Sequence, residues 1–305
     1  MAVTQSIHFD IQRKIVSNMT SESWETIPHS SFIYDADVTD FMRELKSLNA
    51  ERAKEDRFTV NTVILKVIVE GLKAAPMLNS TIEFNRKLVR GRLDLHDDIN
   101  ISMPMILPNG KMMTINLHNF ENKSLTEMTE YIQDVVRRAN NTNLTEVMFE
   151  VSMDNTLKAL RKGHIATVIN RLIGSKTGKH KVKTLTGKAK REYYAIPEKD
   201  RLTFRDIEQG TVTVTNVGSV YRYQKGQVSL LEIIPPQVGA FCIGGIQERA
   251  GVKTDENGNK VFDARQILPI CMAFDHRAVD FGEVAPFLVK CDEIFANPSV
   301  IREWV

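Results

Sequence analysis

One stretch near the end of the chain joins a buried strand, a polar turn and an amphipathic helix. The apolar run from Ile267 to Phe274 ends abruptly at Asp275, and a helical pattern begins just after Asp280. Apolar residues then recur at the spacing of one helix face, at Val284, Phe287, Leu288, Cys291 and Phe295. We therefore expect His276 to lie in a tight connection between the strand and the helix. A histidine held there suits a general base, although an imidazole also serves as a structural hydrogen-bonding group.

A second stretch, Thr211–Thr215, alternates strictly between threonine and valine. This period of two predicts a strand with one threonine face and one valine face. Across the chain, strands and helices intermix without the regular rhythm of a doubly wound sheet, which favours an α/β fold with a mixed sheet. Further helices are predicted at 38–48, 61–75 and 124–139, and further strands at 99–107 and 238–246.

The composition excludes several classes of protein. The 305 residues are 42% hydrophobic and 26% charged, with a formal net charge of +2, which is ordinary for a globular protein. Cys242, Cys271 and Cys291 lie in apolar contexts without CxxC spacing, so we expect reduced core thiols and no metal site. Lys66 interrupts the longest apolar helix, and the N-terminus lacks a signal-peptide core. We expect a cytoplasmic protein with no membrane partner.

The polar turn resembles the DHRxxDG signature of the dihydrolipoamide acyltransferases, the catalytic domains of 2-oxoacid dehydrogenase complexes, which are distant relatives of chloramphenicol acetyltransferase. Asp275, His276, Arg277 and Asp280 match the signature, whereas Phe281 replaces its glycine. The stretch that continues into Asn216-Val217-Gly218 is similar to the family's FTISNLG segment, with Thr215 in the place of the serine. The resemblance covers roughly 12–140 and 205–298.

This resemblance implies a single catalytic domain over 1–305 with a chloramphenicol acetyltransferase-like fold. That fold is a two-layer α/β sandwich of a mixed sheet with packed helices. It implies a homotrimer, and it places no lipoyl or subunit-binding domain within the chain. Residues of about 145–200 have no counterpart that we recognise in the family, and we interpret them as a mobile basic insertion.

The resemblance also implies an acyl transfer between coenzyme A and a thiol such as dihydrolipoamide. His276 corresponds to the general base and Thr215 to the oxyanion donor, and the two meet across a subunit boundary. Asp280 and a basic partner fix the loop, with Arg13 the nearest candidate, and Arg277 has a structural role. Coenzyme A enters as a substrate. A lipoyl group is involved only if a separate protein, such as a 2-oxoacid dehydrogenase component, carries it.

Five residues are expected to line the substrate channel. In the family, a TPxGLxxPV segment lines it, and the corresponding residues 107–115 lack the second proline and include two methionines. Because methionine fills irregular space, these residues either reshape the channel or simply fill the core. The predicted channel residues are Met112, Met113, Asn216, Gly218 and Phe281.

The basic insertion allows more than one interpretation. Between Lys176 and Arg191 there are seven lysines and arginines and no acidic residue. Such a run is typical of a solvated charged loop, but it also suits docking of an acidic partner or of the coenzyme A phosphates. Nucleic acid is a weaker option, because no aromatic residue interrupts the run for base stacking.

Two other functions remain open at this stage. The first is an acyltransferase of the same fold that acts on a different small-molecule acceptor, which Phe281 and the altered 107–115 segment favour. The second is a non-catalytic trimeric scaffold, against which the retention of His276 and of a hydroxyl at Thr215 argues.

Overall fold

The computed structural model describes residues 2–106, 110, 112–161, 163, 165–178 and 181–305. The 107–115 segment therefore lies partly outside the described residues, as do Lys179 and His180 of the basic insertion. The helices are α1 Ile11–Thr26, α2 Thr39–Ala50, α3 Val60–Ala74, α4 Leu125–Asn140, α5 Leu144–Arg161, α6 Ile165–Lys176, α7 Gly187–Ala195, α8 Val217–Val220 and α9 Phe281–Ala296. The strands are β1 His29–Asp37, β2 Ser80–Asn85, β3 Arg90–Leu95, β4 Ile101–Ile106, β5 Met112–Leu117, β6 Val212–Asn216, β7 Gly239–Ile243, β8 Gln247–Thr254 and β9 Lys260–Asp275.

The chain divides into two compact units. The sheet unit consists of Ser23–Pro104, Leu117–Ile132 and Gly210–Val305. The helical unit consists of Met1–Glu22, Met105–Asn116 and Gln133–Gln209. No helix in the described ranges is long and apolar enough to cross a lipid bilayer.

A mixed sheet forms the centre of the sheet unit. Its strand order is β1-β9-β7-β6-β4, and β8 pairs with β9 beside this path. The β4–β6 and β6–β7 pairs are parallel, whereas β9 runs antiparallel to β1, β7 and β8. The predicted α/β architecture, a mixed sheet with packed helices, is confirmed.

Two helices form the main apolar layer of the sheet unit. Helix α3 buries side chains around most of its circumference, and it packs against α9 so closely that a Cβ atom on Gly71 would lie 2.6 Å from the ring of Phe287. The Phe287 ring stacks on Phe241 of β7, with the ring centroids 4.9 Å apart. The predicted helix after Asp280 is confirmed, although Leu288 of its expected apolar face is only half-buried.

The helical unit contains most of the predicted basic insertion. Over 145–200, the described residues form α5, α6 and α7, so the segment is largely helical. Charged hydrogen bonds hold the segment after α7 to the end of α4: Arg138 lies 2.8 Å from both Asp134 and Asp206. Arg137 likewise pairs with Asp200 at 2.8 Å. The C-terminal end of the expected insertion is therefore held to α4 by an ion pair at Asp200.

Candidate active site

The turn that follows β9 is held by backbone hydrogen bonds. The amide of Asp275 donates to the carbonyl of Val238 at 2.9 Å, and the amide of His276 donates to that of Pro28 at 3.1 Å. The amide of Val279 donates a hydrogen bond to the carbonyl of Asp275 at 3.2 Å and closes the turn. His276 thus lies in the tight connection that the sequence predicts, fixed to backbone from two other parts of the sheet unit.

A buried ion pair supports the base of this turn. The carboxylate of Asp275 is fully buried, and it accepts hydrogen bonds from the Arg277 backbone amide at 2.9 Å and from its Nη2 at 2.6 Å. Nε of Arg277 also contacts both carboxylate oxygens, at 3.0 and 3.1 Å. The guanidinium lies 5.9 Å from the centroid of the Phe84 ring. Arg277 therefore neutralises a buried charge next to His276, which is a structural role.

His276 presents a free ring nitrogen. Its Nδ1 lies 3.0 Å from Oδ1 of Asp280, and its side chain is 53% exposed. Because an ionised carboxylate only accepts hydrogen bonds, Nδ1 carries the proton of the neutral ring and Nε2 keeps the lone pair. Nε2 has no hydrogen-bond partner among the described residues. A neutral imidazole in this state can accept a proton from a substrate.

Asp280 also begins the helix that follows. Its backbone amide donates to Oε2 of Glu283 at 2.8 Å, and the two residues form a capping box at the N-terminus of α9. The next residue, Phe281, is 48% exposed, and its ring centroid lies 5.3 Å from that of Phe32 on β1. Asp280 thus contacts the imidazole of His276 and also caps the N-terminus of α9. The exposed pair of Phe281 and Phe32 lies next to this helix end.

The threonine face of β6 distinguishes Thr215 from its neighbours. The hydroxyl of Thr211 donates to Asn79 Oδ1, and that of Thr213 donates to Gln237 Oε1, both at 2.6 Å. Thr215 is half-buried on the same face, and its hydroxyl has no partner within the part of the chain that the structure describes. Its O–H is therefore available to a ligand.

The residues after Thr215 are tightly packed. Nδ2 of Asn216 donates to Oδ1 of Asn61 at 2.8 Å, and its Oδ1 accepts from the amide of Ser219 at 2.8 Å. A Cβ atom on Gly218 would lie only 2.2 Å from the carbonyl oxygen of Gly244. These contacts fix the end of β6. The structure places Asn216 and Gly218 beside Thr215 as supporting residues, and their predicted role in a substrate channel stays a prediction.

Within one chain, the sheet keeps Thr215 and His276 apart. Thr215 pairs with Cys242, which pairs with Cys271, five residues before His276. Two strand spacings and five residues along β9 put the two Cα atoms roughly 19 Å apart. Thr215 lies beside the C-terminal end of β7, near Ile243. His276 lies beyond the opposite end of β7, which begins at Gly239. A single copy of the chain therefore cannot bring the two side chains into contact.

The other predicted site residues belong to the helical unit. Arg13 is exposed on α1, and its backbone amide donates to Oδ1 of Asp10 at 2.8 Å. Met112 is half exposed and Met113 is buried on β5. Among the described residues, no cluster of His, Cys, Asp or Glu has the arrangement of a metal site. The proposed roles of Arg13, Met112 and Met113 stay predictions.

Comparison with protein families covers most of the chain. A model of the 2-oxoacid dehydrogenases acyltransferase (catalytic domain) family matches residues 3–152 and 180–302. The chain belongs to this family. It is therefore an acyltransferase catalytic domain, and the unmatched residues 153–179 lie inside the expected 145–200 insertion.

Known relatives and solved structures agree with this assignment. The chain is 23% identical over 288 residues to the dihydrolipoyllysine-residue acetyltransferase component of the pyruvate dehydrogenase complex of Haemophilus influenzae, covering 93% of this chain and 38% of that protein. A probable dihydrolipoamide acetyltransferase of Listeria monocytogenes has a TM-score of 0.65 at 20% identity, covering 98% of this chain and 97% of that one. A structure of the Azotobacter vinelandii enzyme, from a study of a serine, a histidine and an asparagine in its catalytic mechanism, has a TM-score of 0.64 at 16% identity, covering 99% and 95%.

Sequence reasoning missed three features of the site. It did not predict that the carboxylate of Asp280 contacts Nδ1 of His276. It also overlooked the capping box, although an aspartate followed three residues later by Glu283 is the signal for one. The ion pair between Asp275 and Arg277 had no separate sequence signal.

Proposed function

We propose that this acyltransferase domain moves an acyl group between coenzyme A and a thiol such as dihydrolipoamide, with His276 as general base and Thr215 as oxyanion donor. One observation supports this assignment above the others. The imidazole is oriented by Asp280 through Nδ1 while its Nε2 is free, which is the arrangement of a positioned general base.

The chemistry needs little more than these two groups. Nε2 of His276 takes the proton from the S–H of the acceptor, because the thiolate is the nucleophile. The thiolate attacks the carbonyl carbon of the acyl thioester, and the O–H of Thr215 donates to the resulting oxyanion. The intermediate then collapses, the C–S bond to coenzyme A breaks, and the departing sulfur takes the proton from the imidazolium.

The two residues come from neighbouring copies in this proposal. Since roughly 19 Å of sheet separates their Cα atoms within a chain, only a second copy can place Thr215 opposite His276. A closed trimer supplies three such heterologous contacts. His276 is half exposed and the Thr215 hydroxyl is without a partner among the described residues, as expected for groups that meet at an interface.

The Azotobacter enzyme offers a parallel. The asparagine of the serine, histidine and asparagine studied there lies four residues after the histidine, which is the spacing between His276 and Asp280. A carboxylate in place of that amide still accepts a hydrogen bond from Nδ1 and adds a negative charge. We infer that Asp280 positions the imidazole in this chain.

The proposed partners are coenzyme A as a substrate and a separate protein that carries the lipoyl group. Because the chain spans 38% of the length of its Haemophilus relative, the activity and partners of that whole protein are proposals here. The three cysteines are free thiols in the core, which suits a reducing compartment such as the cytoplasm.

His276→Ala tests the catalytic proposal. We expect the transfer of acetyl groups from acetyl-coenzyme A to dihydrolipoamide to fall by about 10³-fold, within the usual range for loss of a general base. The oligomer, measured by analytical ultracentrifugation, should be unchanged because alanine keeps the backbone hydrogen bonds that hold this turn. Wild-type rates in the variant would remove His276 from the mechanism.

A different acceptor is the second candidate function. Phe281 and Phe32 place two exposed rings beside the turn of His276, so an acceptor with an apolar body would find contacts there. A panel of small thiols, amines and alcohols separates the two functions, since each predicts a different preferred acceptor. Failure of the protein to bind any acyl-coenzyme A in calorimetry would instead favour a non-catalytic scaffold.

A further inference from the structure

The helical unit contains a long segment without acidic residues. From Asn155 to Arg191, which we call the basic segment, there are eleven lysines and arginines and no aspartate or glutamate. The basic segment has a formal charge of +11 and the whole chain has a net charge of +2, so the remaining residues have a net charge of −9. Residues 153–179 of this region also lie outside the match to the family. Six of the eleven cations therefore lie in residues that the family model does not match.

Most of the nine cations that the structure describes in this segment lack an acidic partner. Lys158 pairs with Asp154 at 2.7 Å, and Lys188 lies 3.6 Å from Glu192. Lys176 and Lys190 lie over the rings of Phe149 and Tyr194. The other five described cations contact neither an acidic side chain nor an aromatic ring, namely Arg161, Arg171, Lys181, Lys183 and Arg191. Their charge is available to a binding partner.

The same segment exposes apolar side chains. On one side of α6, Ile165, Ile169 and Ile173 are 60%, 51% and 55% exposed, and Leu172 is 38% exposed. Leu157 and Leu160 at the end of α5 are each 49% exposed. Of the described side chains of α6, only Val168 is buried. A short helix is stabilised mainly by packing of its apolar face, and the described residues leave this face largely uncovered.

We propose that this surface docks an acidic carrier protein that presents the acyl acceptor to the enzyme. The inference rests on the proposed function, because a lipoyl thiol on a separate protein has to be delivered. Exposed apolar and cationic side chains within one segment complement a partner that has an apolar patch and a negative charge. A contact between two copies through this same face is disfavoured, since it would bring two acid-free cationic segments together. A heterologous contact with the acidic remainder of a second copy would overturn the proposal, and it would appear as loss of the oligomer in the test variants by analytical ultracentrifugation.

Charge complementarity of this kind acts mainly on the rate of encounter. Steering by a charged surface raises association rates by 10-fold or more and weakens as salt increases. The basic segment should therefore lower the KM for an acceptor borne on an acidic protein. It should not affect a small, uncharged acceptor such as free dihydrolipoamide.

Two double variants of the full-length protein test the docking surface. Arg171→Gln with Lys183→Gln removes two unpaired charges, and Ile169→Ser with Ile173→Ser removes two exposed apolar side chains at little cost in helix propensity. The matched control, Lys46→Gln with Lys54→Gln, removes two exposed charges from the sheet unit. Each protein is assayed with an isolated acidic lipoyl domain in its reduced form and with free dihydrolipoamide.

We expect both test variants to raise the KM for the lipoyl domain about tenfold, with the KM for free dihydrolipoamide and the control variant unchanged. Binding of the same domain, measured by fluorescence anisotropy at two salt concentrations, should weaken in parallel. Unchanged binding in both test variants would overturn the proposal. The proposal would also be overturned if the wild-type protein bound phosphatidylserine vesicles but not the lipoyl domain, and if the test variants lost that binding to vesicles.

The binding measurement also separates the two proposals. If the wild-type protein transfers nothing to free dihydrolipoamide, the proposed function fails, while anisotropy still decides whether the basic segment binds the acidic domain. If transfer to the free acceptor is normal and the domain does not bind, only the docking surface fails.

Discussion

At the scale of single residues, His276 depends on one carboxylate for its orientation. The contact of 3.0 Å between its Nδ1 and Oδ1 of Asp280 selects the tautomer that leaves Nε2 unprotonated. The sequence motif pointed to both residues but not to their contact. The contact depends on how the turn from Asp275 to Asp280 folds back, which the motif does not specify.

Two substitutions of Asp280 separate orientation from charge. Asp280→Asn keeps an oxygen that can accept from Nδ1, whereas Asp280→Ala removes it and leaves the ring free to rotate. We expect kcat to fall by about tenfold in the alanine variant and less in the asparagine variant, with KM for coenzyme A nearly constant. Steady-state kinetics of both variants provide the measurement. Equal kcat in all three proteins would exclude a positioning role.

At the scale of elements, the end of β6 requires a glycine at one position. Position 218 approaches the Gly244 backbone too closely for any side chain, whereas a Cβ atom on Gly282, in the first turn of α9, would meet nothing within 4 Å. The sequence showed both glycines, but only the packing shows which one is needed.

Gly218→Ala and Gly282→Ala form a matched pair. The first must shift backbone atoms next to Thr215, so we expect a loss of about 1–3 kcal/mol in the free energy of unfolding together with reduced activity. The second replaces an unhindered helical glycine and should stabilise the protein by about 0.4–1 kcal/mol. Urea unfolding of both variants checks this. A Gly218→Ala protein as stable and active as the wild type would contradict the packing described for this strand end.

Periodicity in the sequence predicted the elements that have one buried face. The strand over Thr211–Thr215 and the helices α3, α4 and α9 follow from such patterns, and the capping box between Ser124 and Glu127 is present, with bonds of 2.8 and 3.2 Å. The helices of the 145–200 segment were not predicted, although Ile165, Val168, Ile169, Leu172 and Ile173 of α6 recur at the spacing of one helix face. The interpretation of that segment followed its positive charge and passed over this apolar pattern.

At the scale of the whole molecule, the three thiols lie in the core and link stability to pH. Burial raises the pKa of Cys242 and of Cys271 to about 11 and that of Cys291 to about 12. In the unfolded chain, thiols titrate near pH 8.5. The folded protein therefore keeps protons that the unfolded chain loses, and this contribution to stability is complete below about pH 8.5 and is lost as the pH rises toward 11.

We expect the free energy of unfolding to decrease between pH 9 and pH 10.5, and the decrease to be smaller in Cys242→Ala and Cys271→Ala. Lysine and tyrosine side chains also titrate in this range, so the comparison between proteins, not the slope of one, is the measurement. Denaturation in urea at several pH values supplies it. Identical slopes in the wild type and both variants would show that the thiols are not buried.

The pairing of His276 with Thr215 is the central claim at this scale, and neither residue could reveal it alone. The two positions lie at opposite ends of the strands of one sheet, so the proposed pairing requires a second copy of the chain. A motif search finds the residues, and the fold shows only that one copy cannot join them.

Mixed oligomers test this claim directly. His276→Ala and Thr215→Ala should each be nearly inactive, but subunits of the two variants that are unfolded, mixed in equal amounts and reassembled should recover activity. In a trimer with one site at each interface, about one site in four then combines an intact histidine with an intact threonine. Recovery of about a quarter of the wild-type rate is the predicted result. Reassembled mixed trimers as inactive as the separate variants would contradict a site shared between copies.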